Sequence, residues 1–244
     1  MDKYNLDKYN LDCKMINTKT FFYSTLIVSV VVQIITGVLE IITGLVINVN
    51  PEYKIIKQLL YLEIIVQFIE GLFYFWLLYN INTVLNVTPK RYIDWSITTP
   101  TMLVSLIFYL TYLKYRENKV DTTKMNFYNL AIENKKTILT VLALNWAMLF
   151  FGYLGEMKII PTLCGVILGF VPFLIYYYII YEKYAVHSKT GLNIFWYFFI
   201  FWSLYGIVAI LPYYLKNALY NILDLFAKNF FGIFLSYILV FKKF

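Results

Sequence analysis

The sequence predicts an all-α membrane protein, a bundle of seven transmembrane helices with its N-terminus outside. Composition is the first reason: of 244 residues, 61% are hydrophobic and 14% charged, against roughly 45–50% and 25% in soluble domains. A chain this short has too little interior to hide so many apolar side chains, whereas spanning helices place them against lipid. The second is pattern. Apolar runs fall at 20–48, 57–80, 91–113, 136–155, 159–181, 192–214 and 217–241, each long enough to cross a hydrocarbon layer. The third is charge placement, because the Lys and Arg residues lie mainly between those runs. A nucleic-acid reader would instead cluster them on one soluble face, so the net charge of +7 reports membrane orientation and no nucleic-acid partner is expected.

Residues 1–19 read as a polar tail in which Asp-Lys-Tyr-Asn-Leu occurs twice, at Asp2 to Leu6 and Asp7 to Leu11, too briefly to build a solenoid. The first apolar run is too long for a cleaved signal and ends without a small-residue cleavage pattern. With the N-terminus outside, the inside segments hold twelve basic residues: Lys54, Lys57, Lys114, Arg116, Lys119, Lys124, Lys135, Lys136, Lys183, Lys189, Lys242 and Lys243. The outside holds eight, Lys3, Lys8, Lys14, Lys19, Lys90, Arg91, Lys158 and Lys216, and the excess sets the direction. Residues 20–241 form the membrane domain and 242–244 a short tail, so no fused catalytic domain and no enzymatic activity are expected. Cys13 and Cys164 make neither a disulfide framework nor a zinc pattern, and His187 falls in a polar inside loop.

Charges interrupt the apolar runs at Glu40, Glu63, Glu70, Asp94, Asp224 and Lys228. Each costs roughly 2.5–3.5 kcal/mol or more at a helix centre unless paired or hydrated. Lys228 stands too deep in the last run to snorkel to the interface, and Asp224, four residues earlier, shares its helical face. Two readings are open: a structural ion pair, or a desolvated amine that condenses with an aldehyde. The third run decides between them. It opens Arg91-Tyr92-Ile93-Asp94-Trp95-Ser96-Ile97-Thr98-Thr99-Pro100, with Arg91, Asp94 and Thr98 on one stripe that must face the bundle.

That run resembles the third-helix signature of microbial (type 1) rhodopsins, Arg-Tyr-x-Asp-Trp-x-x-Thr-Thr-Pro, and Asp224-Leu225-Phe226-Ala227-Lys228 resembles the family's Asp-x-x-x-Lys attachment site. The resemblance extends over all seven runs and implies the rhodopsin bundle. It implies all-trans retinal on Lys228 as a protonated Schiff base, Asp94 as primary counter-ion and proton acceptor, Asp224 as second counter-ion, and Arg91 and Thr98 beside them. It also implies a retinal pocket from Trp95, Thr99, Met102, Asn145, Met148, Gly152, Trp202 and Tyr205, with Asn145 bonding toward Thr99. The chain departs from the pattern at Gly206 and Ala209, where many relatives have Pro and a second Trp.

Outward pumps of this family usually carry a carboxylic acid at the third-helix donor position, where this chain has Ser105. A hydroxyl cannot hold and release a proton near neutral pH as a carboxyl can. Glu63, Gln67 and Glu70 form a polar stripe on the second run, Ser29, Gln33 and Glu40 another on the first, and Asn221 and Asn229 accompany Lys228 on the seventh. These groups either tie helices together or line a hydrated route, in which carboxylates would favour cations. Ser29, Gln33, Glu63, Glu70, Asn221 and Asn229 are similar to the polar set of the first group of viral rhodopsins, which implies a light-gated cation channel. A slowly reprotonated outward proton pump is the alternative, and a sensory photoreceptor the third reading. The expected partners are lipid and transported cations or protons, with a homo-oligomer open, in a host-cell membrane if the source is viral.

Overall fold

The computed structural model describes residues 3–81, 83 and 86–241, with side chains from residue 17 onward. All regular structure among them is helical: α1 (Lys3–Val46), α2 (Lys54–Asn80), α3 (Thr88–Glu117), a short α4 (Phe127–Glu133), α5 (Lys135–Glu156), α6 (Thr162–Lys183), α7 (Lys189–Val208), α8 (Tyr213–Asp224), a π turn (Leu225–Asn229) and α9 (Phe230–Phe241). Seven spans are long and apolar enough to cross a membrane, the last composed of α8, the π turn and α9. The protein is an integral, multi-pass membrane protein. Below, the N-terminal face is the end of the bundle where α1 enters, and the C-terminal face the opposite end.

The expected boundaries hold to within a few residues except at three places. The segment read as a polar tail is helical from Lys3 and continuous with the first span, so α1 reaches about 65 Å at 1.5 Å per residue, twice the hydrocarbon thickness. Met1, Asp2, the side chain of Cys13 and the tail 242–244 lie outside the described residues. The sixth span stops at Val208 rather than 214. Ala209, Ile210 and Leu211 keep the hydropathy high, but Pro212 has no N–H to continue a helix and caps α8 instead. The span also starts earlier, because Ser188 accepts from Gly191 N at 2.8 Å while Glu117 accepts from Ser188 Oγ and from the backbone amides of Lys189 and Thr190, satisfying N-terminal amides that have no helical partner. Finally, Arg91 and Lys216, counted as outside-loop charges, are buried inside the bundle.

Helix α3 and the seventh span form the axis: 72% and 61% of their most apolar windows are buried, against 22% for α5 and for α7. Helix α1 is inverted. Its outward face carries Ile27, Val31, Ile34, Val38 and Leu45, while Thr25, Ser29, Gln33, Thr36, Glu40 and Thr43 point inward at three- and four-residue intervals. Lipid takes the apolar side, so polar groups are left to join the helices. Helices α5 and α6 are joined differently. A Cβ on Gly165 would lie 2.8 Å from Phe151 O, and one on Gly155 would meet the Gly165 and Thr162 backbone at 3.4 Å. Small residues let these two backbones approach.

Candidate functional site

The site begins with the π turn. Its wider pitch falls on Leu225–Asn229, and the Tyr197 hydroxyl donates to Phe226 O at 2.7 Å, a carbonyl of the turn where the regular helical ladder is interrupted. Lys228, carried on this turn, is 4% exposed and points at three carboxylates. Its Nζ lies 2.6 Å from Asp94 Oδ2, 3.4 Å from Glu70 Oε1 and 3.8 Å from Asp224 Oδ1. Asp94 is therefore the direct partner. Asp224 is turned toward the N-terminal face, where it accepts from Tyr74 OH and Tyr205 OH at 2.7 Å each and pairs with Arg91 Nη1 at 3.2 Å.

Arg91 is wholly buried. Its Nε donates to Asn217 Oδ1 at 3.1 Å, its Nη2 to Asn221 Oδ1, and its guanidinium lies 5.5–5.7 Å from the rings of Phe73, Tyr74 and Tyr220. A buried cation so enclosed keeps its charge and its place. Thr98 donates to Asp94 O in its own helix at 3.0 Å, so its hydroxyl does not reach the amine's partners. Glu70, expected on a polar stripe of the second span, also joins the charge cluster at Lys228.

A cavity lined by Lys228 lies between α3, α5, α6 and α7, and its wall is mostly apolar and aromatic, as small-molecule sites usually are. Trp95, Thr99, Met102, Met148, Gly152, Trp202 and Tyr205 all line it. Asn145 stands behind the wall and donates to Thr99 Oγ1 at 2.8 Å. At Gly206, where a larger residue was missing from the expected wall, Phe170 of α6 takes the space: a Cβ there would lie 2.5 Å from its ring. A long apolar slot ending on an amine, with carboxylates around that amine, fits a polyene aldehyde bound as an iminium.

Beside Lys228 the polar stripes of α1, α2 and the seventh span meet in one seam. Gln67 Nε2 donates to Gln33 O at 3.1 Å and Thr36 Oγ1 at 3.0 Å, Asn229 Nδ2 to the same Thr36 at 3.0 Å, and Ser29 Oγ to Asn221 O at 3.2 Å. Part of the set thus ties helices together. The rest does not. Gln33 makes no side-chain hydrogen bond to any described residue, and neither does the Asn229 carbonyl or one Glu40 oxygen. Glu63 faces Ser105. Buried polar groups are rarely left so, since each costs roughly 1–3 kcal/mol without water or an ion.

The model of the bacteriorhodopsin-like protein family matches residues 20–241. The chain belongs to that family, the microbial rhodopsins. Its structure superposes on that of the viral rhodopsin OLPVRII with a TM-score of 0.71 at 26% identity, covering 91% of this chain and 96% of that one. It also resembles the blue light-absorbing proteorhodopsin from Med12 (TM-score 0.69, 18% identity, 93% and 98% covered) and halorhodopsin from Halobacterium salinarum in its bromide-bound form (0.69, 15%, 94% and 98%). At those identities the last two show the fold alone. A comparison with curated proteins by sequence gives no match. The family binds retinal through a lysine Schiff base, which agrees with the slot that ends on Lys228.

Several residues of this rhodopsin's site escaped sequence reasoning. Tyr74 continues the Glu63, Gln67, Glu70 stripe at the next four-residue step, a usable signal lost among 24 tyrosines. Thr36, three residues after Gln33, receives two helices at once, but threonine in a span carries no warning of that. Asn217 and Tyr220 hold Arg91 from α8, and only the fold brings them there.

Proposed function

We propose that this rhodopsin is a light-gated cation channel in which absorption drives a proton from Lys228 to Asp94 and opens the seam between α1, α2 and the seventh span. All-trans retinal, held as a protonated Schiff base on Lys228, would supply the light absorption and the isomerisation. Asp94, 2.6 Å from the nitrogen, accepts its proton on Oδ2, which removes two opposite buried charges in one transfer. Arg91 and the two tyrosines keep Asp224 fixed as the second anion. The cluster holds two cations, Arg91 and Lys228, against three acids, Glu70, Asp94 and Asp224. A buried cluster is least costly when neutral, so one acid carries a proton in the dark, and we assign it to Glu70, which lies farther from Lys228 than Asp94 does and, unlike Asp224, has no second cation.

The observation that carries the channel reading is the set of buried polar groups that bond to no described residue, the Gln33 amide, one Glu40 oxygen and the Asn229 carbonyl. Such groups are stable when hydrated, and a hydrated file with carboxylates on it admits cations. One observation favours the second reading, an outward proton pump: Glu63 faces Ser105, so a carboxyl from α2 stands beside the donor position that α3 leaves without one. Voltage clamp separates them. A channel's photocurrent reverses near the cation equilibrium potential. A pump's keeps one sign over the physiological range, and that result would replace the channel by the pump. Absence of any steady current would leave the sensory reading.

A further inference from the structure

On the N-terminal side of the cavity lies an ion pair that the site just described does not use. Glu156 ends α5, Lys216 lies in the first turn of α8, and Nζ meets Oε2 at 2.6 Å with both side chains less than a tenth exposed. Helix α5 packs mainly on α3 and α6, and α8 on α1 and α7, so the pair bridges two helices whose main packing partners lie elsewhere. A buried ion pair stabilises little beyond what apolar residues of the same volume would. Its value lies in where it holds things.

What it holds is the wall of the cavity. Gly152 and Tyr220, each one helical turn inside the pair on α5 and α8, both line the chromophore slot. Between them sits Tyr92 of α3. Its hydroxyl occupies the space a Cβ on Gly152 would take, and its ring packs edge-on to Tyr153 and to Trp95, which in turn packs on Tyr220. Tyr92 also lines a surface cleft on its other side, together with Pro89, Ile93, Ser96 and Tyr153. Tyr92 thus lines both the slot and the surface cleft, held directly by α5 and, through Trp95, by Tyr220 of α8.

We propose that Glu156 and Lys216 form a strap that keeps α5 and α8 closed on Tyr92 and so seals the chromophore slot at the N-terminal face. The strap positions the wall and takes no part in moving the proton. Its assay rests on the retinal reading, because it needs a coloured protein, and the two failures are distinct: a wild-type chain that stays colourless with retinal refutes that reading, whereas a coloured wild type leaves the strap open to test.

The test is dark bleaching of the retinal-loaded protein by hydroxylamine, a small water-borne nucleophile that attacks the imine only where it can enter. Glu156→Gln and Lys216→Met are expected to bleach at least about tenfold faster than wild type, since each leaves a buried charge or amide without its partner and loosens the wall. The exchanged pair, Glu156→Lys with Lys216→Glu, is expected to return toward the wild-type rate. Where a single variant yields no coloured protein, Glu156→Asp, which shortens the strap by one methylene and keeps its charge, is read in its place and bleaches at an intermediate rate. Single variants that bleach within twofold of wild type overturn the proposal, as does an exchanged pair as fast as the singles. A merely stabilising pair would lower the melting temperature without changing the bleaching rate well below it.

Discussion

Replacing Glu70 by Gln tests the charge count around Lys228, with Asp94→Asn as its measure. At an effective dielectric constant near 20, an anion 2.6 Å from the nitrogen interacts with its positive charge by about 6 kcal/mol, and one at 3.4 Å by about 5. Excitation moves positive charge of a conjugated iminium away from nitrogen, so an anion there stabilises the ground state more than the excited state. Asp94→Asn removes that preference and shifts absorption to longer wavelength. If Glu70 were ionised, Glu70→Gln would remove a term almost as large, and its shift would be about three-quarters of the Asp94→Asn shift by the same Coulomb ratio. A neutral Glu70 contributes only a dipole, so the expected shift is less than about a quarter of that from Asp94→Asn. Absorption spectra of the three proteins, reconstituted with retinal at one pH and salt concentration, read the ratio directly. Equal red shifts would refute the neutral Glu70, and an unshifted Asp94→Asn would refute Asp94 as the counter-ion.

Two further outcomes are expected. Lys228→Ala should yield protein that elutes as a single species yet gains no visible band with retinal; a coloured Lys228→Ala would move the attachment site elsewhere. Gly232→Ala should destabilise the bundle by about 1–3 kcal/mol, the usual cost of overpacking, because the new methyl would overlap the Glu40 carboxyl. The added substitution Glu40→Ala should return the melting temperature toward wild type, and a lack of such rescue would show that the loss arises from the α9 backbone rather than from Glu40.

The fold was legible because lipid imposes a length and a composition on every span, and those survive in any sequence long enough to count. The ends of spans were not, since hydropathy runs on through Ala209–Leu211 while the helix obeys Pro212. Lys228, Asp94 and Asp224 were legible for the opposite reason: charges in apolar runs are costly enough to stand out one at a time. Lys216 and Glu156 did not stand out, because they lie at the ends of spans where loop charges are ordinary. Their burial depends on α5 and α8 arriving together, which no spacing along one helix encodes. Glu70 was visible as a charge but not as a member of the cluster, because its distance to Lys228 is set by the packing of α2 against α9.

The bundle is held by two chemistries, and their division bears on where motion can go. On the α5 and α6 side of the slot, Gly155 and Gly165 bring the two backbones into contact, and Phe170 fills the space over Gly206. Close-packed apolar contacts of this kind resist small displacements, since sub-ångström shifts forfeit dispersion energy on all sides. On the amine side, α1, α2 and the π turn meet through Thr36, Gln67 and Asn229, with polar groups between them that bond to no described residue. Hydrogen bonds there can exchange protein partners for water at little net cost. A displacement that begins at Lys228 therefore meets a stiff wall in one direction and an exchangeable seam in the other, and the seam is the side on which the carboxylates Glu63 and Glu40 lie buried.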